Sequence, residues 1–321
     1  MLALASPAAP AEGASKDREY RIEGRVLRSD QQPFSRIYAQ VFLRAATVPY
    51  ERHTLAGIDG RFTFKKVPPG PYILASYNRR AGEVTRSVVV GPGSADSKGK
   101  VRIDLVYQSS AQARRNVTVS AVELSVPDRA RKELKKAKEL LARRDVKGAT
   151  GHLRKAVELA PQFTAAWNEL GTLSYLDKQL PQAEKYFREA LKQEPDSYPP
   201  LVNLAGTLYA MNRMEEALPL NQAAVKARPD DPLAQSQLGS TYYFLGQEER
   251  AEVHLQRAKG LDPDHFTCPQ LLLAEIHIHR KQVPAAIAEM EDFLRRHPDS
   301  DWAPKVRRVI ETLRPMMSLA P

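Results

Sequence analysis

Gly93-Ser94-Ala95-Asp96-Ser97-Lys98-Gly99-Lys100 has the composition of a loop that cradles phosphate. It departs from that chemistry in three ways. The spacing is wrong, Val101 stands where a Ser or Thr would hold magnesium, and the residues that follow alternate as a strand instead of opening a helix whose amides could meet an anion. The segment reads as a hairpin loop. No His begins an H-E-x-x-H or H-x-x-E pair, which removes the metallopeptidase arrangement. His277 and His279 are two residues apart and on a helix would point about 200° from one another, so they cannot share an ion. His152 and His254 lie 102 residues apart, three times a 34-residue period described below, and the intervening equivalents are Tyr186 and Leu220. Positions that accept His, Tyr and Leu in turn are packing positions between helices. Cys268 is the one cysteine, so an internal disulfide and a cysteine zinc cage are both excluded. Near a helix start it reads as a reactive thiol or, more commonly, as a small buried residue. Asn116-Val117-Thr118 fits a glycosylation acceptor but falls in an alternating, strand-like stretch. These residues predict a non-enzymatic chain with no cofactor and no metal.

The elements that would position any site follow from a period. Pro161, Pro195, Pro229, Pro263 and Pro298 are separated by 34, 34, 34 and 35 residues. Twelve residues before each proline stands an alanine: Ala149, Ala183, Ala217, Ala251 and Ala286. Five before the first four stand Ala156, Ala190, Ala224 and Ala258, with Phe293 in the fifth. Proline stops one repeat and turns the chain into the next. Alanines seven apart share a helix face, where they allow helices to approach closely. Ala183, Tyr186, Phe187, Ala190 and Leu191 form the stripe of an amphipathic second helix, and Trp167, Leu170, Gly171 and Leu173 that of a first.

Trp167-Asn168-Glu169-Leu170-Gly171 with Ala183, Phe187, Ala190 and Pro195 resembles the tetratricopeptide repeat, as do Leu238-Gly239, Tyr242, Gly246, Ala251 and Pro263. The resemblance covers residues 130–298 as five repeats. Repeat one has Glu133, Lys136 and Ala137 where the aromatic, Leu and Gly usually stand, as suits a solvated end. Repeat five has a one-residue insertion and Pro284 opening its second helix, and Trp302–Arg314 is expected to cap the stack. The resemblance implies a superhelical solenoid that binds a polypeptide in a concave groove. Tyr175, Tyr209 and Tyr243 recur at 34-residue steps, each twenty residues before a linker proline, a place that lines the groove in such repeats. Asn168, Thr172, Gly206, Ser236 and Ser240 add small polar groups beside them, so the set suits an extended peptide. Alternatively, the rings pack within their own helix pair. The clamp for a terminal carboxylate found in chaperone-binding relatives is not supported, because its places hold Asn168, Val202, Ser236 and Leu271, with Lys138 in repeat one.

Residues 19–108 have a different texture. Tyr20–Leu27, Ile37–Leu43, Arg61–Lys66, Tyr72–Tyr77, Thr85–Val90 and Val101–Val106 are short alternating runs punctuated by Asp59-Gly60, Pro68-Pro69-Gly70 and Gly91-Pro92-Gly93. They predict an antiparallel sandwich. Gly24-Arg25-Val26, Ala39–Leu43, Asp59-Gly60-Arg61-Phe62-Thr63-Phe64 and Val67-Pro68-Pro69-Gly70-Pro71-Tyr72 resemble the carboxypeptidase regulatory-like domain, a transthyretin-like sandwich of many exported bacterial proteins that is itself non-catalytic. Residues 109–127 are expected to be a linker in which Val117–Leu124 adds a further strand, and Val126-Pro127-Asp128 starts the first helix.

The fold class is thus an all-β, Ig- or transthyretin-like sandwich followed by an all-α solenoid at 128–298, closed by 299–321. No apolar run is long enough to span a membrane. The formal charge of +10 sits mainly at the front, with 17 Lys/Arg against 10 Asp/Glu in residues 1–110 and 29 against 27 in 128–321. The front arginines are scattered along strands without a recognition motif, so nucleic acid is not expected. Met1–Ala11 reads like the tail of a signal peptide or like a disordered cytosolic leader. The first account is preferred, with a periplasmic or secreted protein as its consequence. A protein or peptide partner is expected. Binding of a glycan or cell-envelope component by the sandwich, with the helices as tether, is the alternative.

Overall fold

In β1 (Tyr20–Leu27) the residues Tyr20, Ile22, Val26 and Leu27 are buried, and in β4 (Arg61–Val67) Phe62, Phe64 and Val67 are buried while Arg61, Thr63 and Lys65 face water. This two-residue alternation is what a sheet with one covered face requires. The structure, a computed structural model, describes residues 19–28, 30, 32, 39–45, 51–78, 82–107 and 121–317. The expected leader at 1–18, the acceptor pattern at 116–118 and the linker over 109–120 lie outside the described residues.

β1 is flanked by β4, antiparallel, and by β7 (Lys100–Arg102), parallel; β8 (Leu105–Val106) pairs with β1 farther along. The second sheet runs β3 (Glu51–Leu55), β2 (Gln40–Ala45), β5 (Gly70–Asn78), β6 (Gly82–Val90). Two glycines are obligatory. A Cβ on Gly24 would lie 1.8 Å from the Ile103 carbonyl oxygen, and Gly60 has φ +77° with a Cβ position 2.5 Å from the Val26 carbonyl oxygen.

Four details differ from the sequence expectations. The run 101–106 is split in two, because the Asp104 carboxylate accepts both the Arg25 backbone N–H and the Arg25 guanidinium at 2.8 Å, replacing a backbone partner. β3 was not expected, since Arg52, His53 and Thr54 carry no apolar alternation. The loop after β6 is not a hairpin: β6 and β7 lie in different sheets, so residues 91–99 cross between them. Asp96 organises this crossing by accepting the N–H groups of Lys98 and Lys100, both at 2.9 Å. Where a last strand was expected, α1 (Ala121–Leu124) is one helical turn of three good helix formers and a valine, and 117–120 lie outside the described residues.

From Asp128 onward helices alternate with short turns: α2 (Asp128–Ala142), α3 (Val146–Leu159), α4 (Thr164–Leu176), α5 (Leu180–Gln193), α6 (Tyr198–Ala210), α7 (Met214–Ala227), α8 (Pro232–Phe244), α9 (Glu248–Leu261), α10 (Pro269–His279), α11 (Val283–Arg296) and α12 (Ala303–Met317). All five alanines of the first register, the four of the second and Phe293 are fully buried. Arg144, Lys178, Asn212, Gly246 and Lys281 all have φ between 58° and 73°, one left-handed residue after the first helix of each pair. The closing helix runs past the expected Arg314 to Met317, with Pro315 in its last turn.

The packing role expected of His152 and His254 holds. His152 Nδ1 lies 2.6 Å from Glu133 Oε2 and His254 Nδ1 2.7 Å from Gln235 Oε1, while Trp167 and Tyr186, the equivalent pair in repeat two, are in ring contact. Each pairs the first helix with the second. Trp167 Nε1, Gln235 Nε2 and Gln270 Nε2 also donate to the carbonyls of Pro161, Pro229 and Pro263 at 2.7, 2.7 and 2.8 Å, tying each first helix to the linker before it.

The chain forms two compact units. Among the described residues, one unit falls within Met1–Thr47, Arg52–Asn116 and Asp262–Pro321, and the other within Val48–Glu51 and Val117–Leu261. In the first unit the second sheet meets the turns of the last helices. Asp262, buried in the turn that leads from Leu261 to α10, accepts the Ser87 N–H of the edge strand β6 at 2.9 Å, and Asp299, between α11 and α12, accepts the Gly93 N–H at 2.8 Å. Arg86 reaches Asp264 at 3.7 Å, and Arg296 holds the same carboxylate at 2.9 Å. The apolar core of α10–α12 gathers Leu271, Met290, Phe293, Val306 and Ile310.

Candidate functional site

Within the second unit, α4 touches α6 and α6 touches α8, whereas α5 and α7, or α7 and α9, make no comparable contact. First helices therefore converge and second helices spread, which curves the row around its first-helix wall. The Gly171 position shows how tight each pair is: a Cβ there would lie 2.5 Å from the Phe187 ring.

The composition of this wall is distinctive. α6 and α8 contain no charged residue and α4 contains Glu169 alone, while α5, α7 and α9 carry many. Asn203 Nδ2 on α6 donates to Asn168 Oδ1 on α4 at 3.0 Å, which leaves the Asn168 amide N–H groups and the Asn203 carbonyl unspent. Gln237 on α8 has its side-chain carbonyl oxygen buried and unpaired. Gly206 makes room for that amide, because a Cβ at 206 would lie 2.9 Å from Gln237 Nε2.

The sequence-predicted residues fall as follows. Asn168, Thr172 and Ser240 are half-buried. Thr172 and Ser240 donate their hydroxyls to the carbonyls of Asn168 and Ser236, four residues back, at 3.0 and 2.9 Å. Ser236 is buried, with 1% of its surface exposed. Tyr175 is half-buried against Phe187, Leu204 and Leu208, and burial pushes its phenol up. Tyr209 and Tyr243 are brought together by a residue that the sequence reading passed over, Phe244. Its ring is edge-on to Tyr209 at 5.5 Å and to Tyr243 at 5.3 Å, and it is 41% exposed. Phe244 escaped notice because its equivalents are Leu176 and Ala210, so no period marks it. Asn203 and Gln237 escaped because they stand one place beyond the register of Asn168.

The remaining chemical candidates are structural. Cys268 packs against the core of α10–α12, and burial pushes its thiol up to about 12, which keeps it protonated and unreactive. His277 Nδ1 lies 2.7 Å from Gln282 Oε1. Among the described residues no three His, Cys, Asp or Glu side chains cluster as a metal site would need. No described helix is long and apolar enough to cross a membrane.

Three tetratricopeptide repeat family models match residues 134–198, 174–240 and 234–265. The chain is similar to "Protein CTR9 homolog" of Arabidopsis thaliana, 29% identical over 118 residues, and to "Anaphase-promoting complex subunit CDC16" of Saccharomyces cerevisiae, 28% identical over 137 residues. These alignments take in 36% and 41% of this chain and span 11% and 16% of those proteins. Among solved structures, the APC/C hetero-tetramer Cut9-Hcn1 superposes with a TM-score of 0.50 at 18% identity, over 60% of this chain and 37% of that one, a likeness of fold. With the period, the buried alanines and the paired helices, these matches show that residues 134–265 are tetratricopeptide repeats.

Proposed function

We propose that this protein is a non-enzymatic scaffold that holds an extended polypeptide along the wall formed by α4, α6 and α8. The supporting observation is that wall: Glu169 is its one charged residue, the Asn168 amide has spare N–H groups, and an exposed ring, Phe244, is flanked by tyrosines. Amides satisfy a partner's backbone and rings cover its side chains. The two proteins matched by name through CDC16 and Cut9-Hcn1 are parts of multi-protein assemblies, which agrees with a binding role.

A photo-crosslinking residue placed at Thr172 or Ser240, with one at Arg188 on α5 as the outer control, tests the reading in cells. A polypeptide attached from the two inner positions and not from the outer one is the expected result. Equal labelling from both faces, or none from either inner position, removes the proposal.

For the β half, the two constrained glycines and the turn motifs support a carboxypeptidase regulatory-like sandwich. On the composition of residues 1–11 we place the protein in the periplasm or outside the cell, and fractionation of native cells with an antibody checks that placement.

A further inference from the structure

Charge is spread unevenly along the helical part of the chain. Residues 128–158, which make the first repeat, hold 11 Lys/Arg against 5 Asp/Glu, while residues 159–321 hold 18 against 22. Two of the five acids are spent within the repeat. Glu133 is buried and meets His152, Lys136 and Lys155, and Asp145 caps α3 by accepting the Gly148 N–H at 2.8 Å. In the later repeats Arg188 and Arg213 are held by Glu184, and Arg257 by Asp230. Arg129, Lys132, Lys135 and Lys138 on α2 are different: they are exposed and, among the described residues, make no ion pair. Spaced three residues apart, they form one oblique ridge about 14 Å long, with Asp128 and Glu139 at its two ends. Like charges at this spacing repel on a helix, and a partner bearing carboxylates would relieve that repulsion.

The ridge lies where the wall continues. α2 holds the place in its pair that α4, α6 and α8 hold in theirs. By the 34-residue period Lys135 is the equivalent of Glu169, Asn203 and Gln237, and Lys138 that of Thr172, Gly206 and Ser240. Those positions face from one first helix to the next, since Asn203 bonds Asn168 between α6 and α4, and Gly206 leaves room for Gln237. A polypeptide running along the wall, where Glu169 is the one charge, therefore meets lysines at its α2 end. Two other polyanions fit less well. A bilayer takes up a basic helix through its apolar face, and the apolar residues of α2, Ala130, Ala137 and Leu141, are buried. Single-stranded nucleic acid stacks on aromatic side chains, and α2 has none.

We infer that α2 holds an acidic stretch of the bound polypeptide, with Lys135 and Lys138 on its carboxylates and Arg129 and Lys132 extending the contact. The adjoining, uncharged stretch lies on α4, α6 and α8. The inference rests on the groove reading proposed above for its choice of a polypeptide. The test uses the full chain and a labelled peptide of alternating Glu and Ser, capped at both ends so that no terminal carboxylate contributes, read by fluorescence anisotropy. It should bind about tenfold or more tightly than the same peptide with Gln for Glu, and raising NaCl from about 50 to about 500 mM should remove most of that difference. Lys135→Gln/Lys138→Gln should weaken the Glu peptide about tenfold, whereas Lys185→Gln/Lys226→Gln, which takes the same charge from α5 and α7, should leave it within about twofold. The melting temperature of the first double variant should stay level or rise, because a repulsion has gone. Equal binding of the two peptides, or equal loss from the two double variants, overturns the inference. So does a DNA duplex or a phosphatidylserine vesicle that displaces the Glu peptide and is not displaced by it. If the Glu peptide does not bind while crosslinks still form at Thr172 and Ser240, the acidic assignment fails and the groove reading stands. If the peptide binds through Lys135 and Lys138 and no crosslink forms at either inner position, the groove reading fails and the acidic contact on α2 stands by itself.

Discussion

Glycine at 171 sets two effects of opposite sign against each other. Alanine is the better helix former by about 1 kcal/mol. Its methyl group, however, would sit 2.5 Å from the Phe187 ring, and Phe187 is itself buried. Overpacking of this kind costs about 1–3 kcal/mol, so Gly171→Ala should give a net destabilisation of up to about 2 kcal/mol in urea unfolding. His254 gives a pH dependence whose sign follows from its site. Burial lowers its pKa from the ordinary 6.5, with the ring stacked on Tyr242 and bonded to Gln235. The folded protein therefore resists protonation that the unfolded chain accepts, and stability contributed by the neutral ring is lost as pH falls below 6.5. The melting temperature should decline between about pH 7.5 and 5.5, and His254→Gln should flatten that slope by keeping a polar partner for Gln235 without a titrating group. At this scale the sequence was partly legible. The equivalence of His152 with His254 identified two packing positions correctly, because a repeat exposes what a position tolerates. Phe244 was illegible for the same reason, since it belongs to one repeat only.

The turns between first and second helices carry a cost that the sequence does not advertise. Arg144, Lys178, Asn212 and Lys281 adopt the left-handed conformation that Gly246 adopts in repeat four. For a residue with a Cβ this costs roughly 1–2 kcal/mol, partly offset by the greater freedom glycine has in the unfolded chain. Lys178→Gly should therefore raise stability by about 0.5–1 kcal/mol, and Gly246→Lys should lower it by a similar amount, both measurable by thermal unfolding. Helix pairing itself was written plainly in the chain, because alanine and proline registers are steric requirements that recur. The strands were less so. β3 has polar residues on an edge, and the division of 101–106 depends on Asp104 reaching Arg25, a contact between positions 79 residues apart that no local pattern contains.

For the molecule as a whole, Asp262 and Asp299 matter most in the unit that joins the sheets to α10–α12. Read locally, each is an ordinary turn residue beside a helix, and only the fold shows that each accepts a backbone N–H from β6 or the loop after it. Removing both, as Asp262→Ala with Asp299→Ala, leaves the Ser87 and Gly93 amides without acceptors, at about 1–3 kcal/mol for a buried donor. Hydrogen exchange should quicken in β6, residues 91–94 and α10–α12, while α2–α9 keep their protection; uniform loss across all helices would contradict the division into two units. The same contacts impose a timetable on synthesis. Ser87 and Asp262 are 175 positions apart, and a ribosome adding about 5–20 residues per second needs roughly 10–35 s to travel between them. Throughout that interval the outer edge of β6 is made but uncovered, an invitation to pair with another chain. Nascent protein stalled before Asp262 should consequently aggregate or recruit chaperones more readily than protein released after α12.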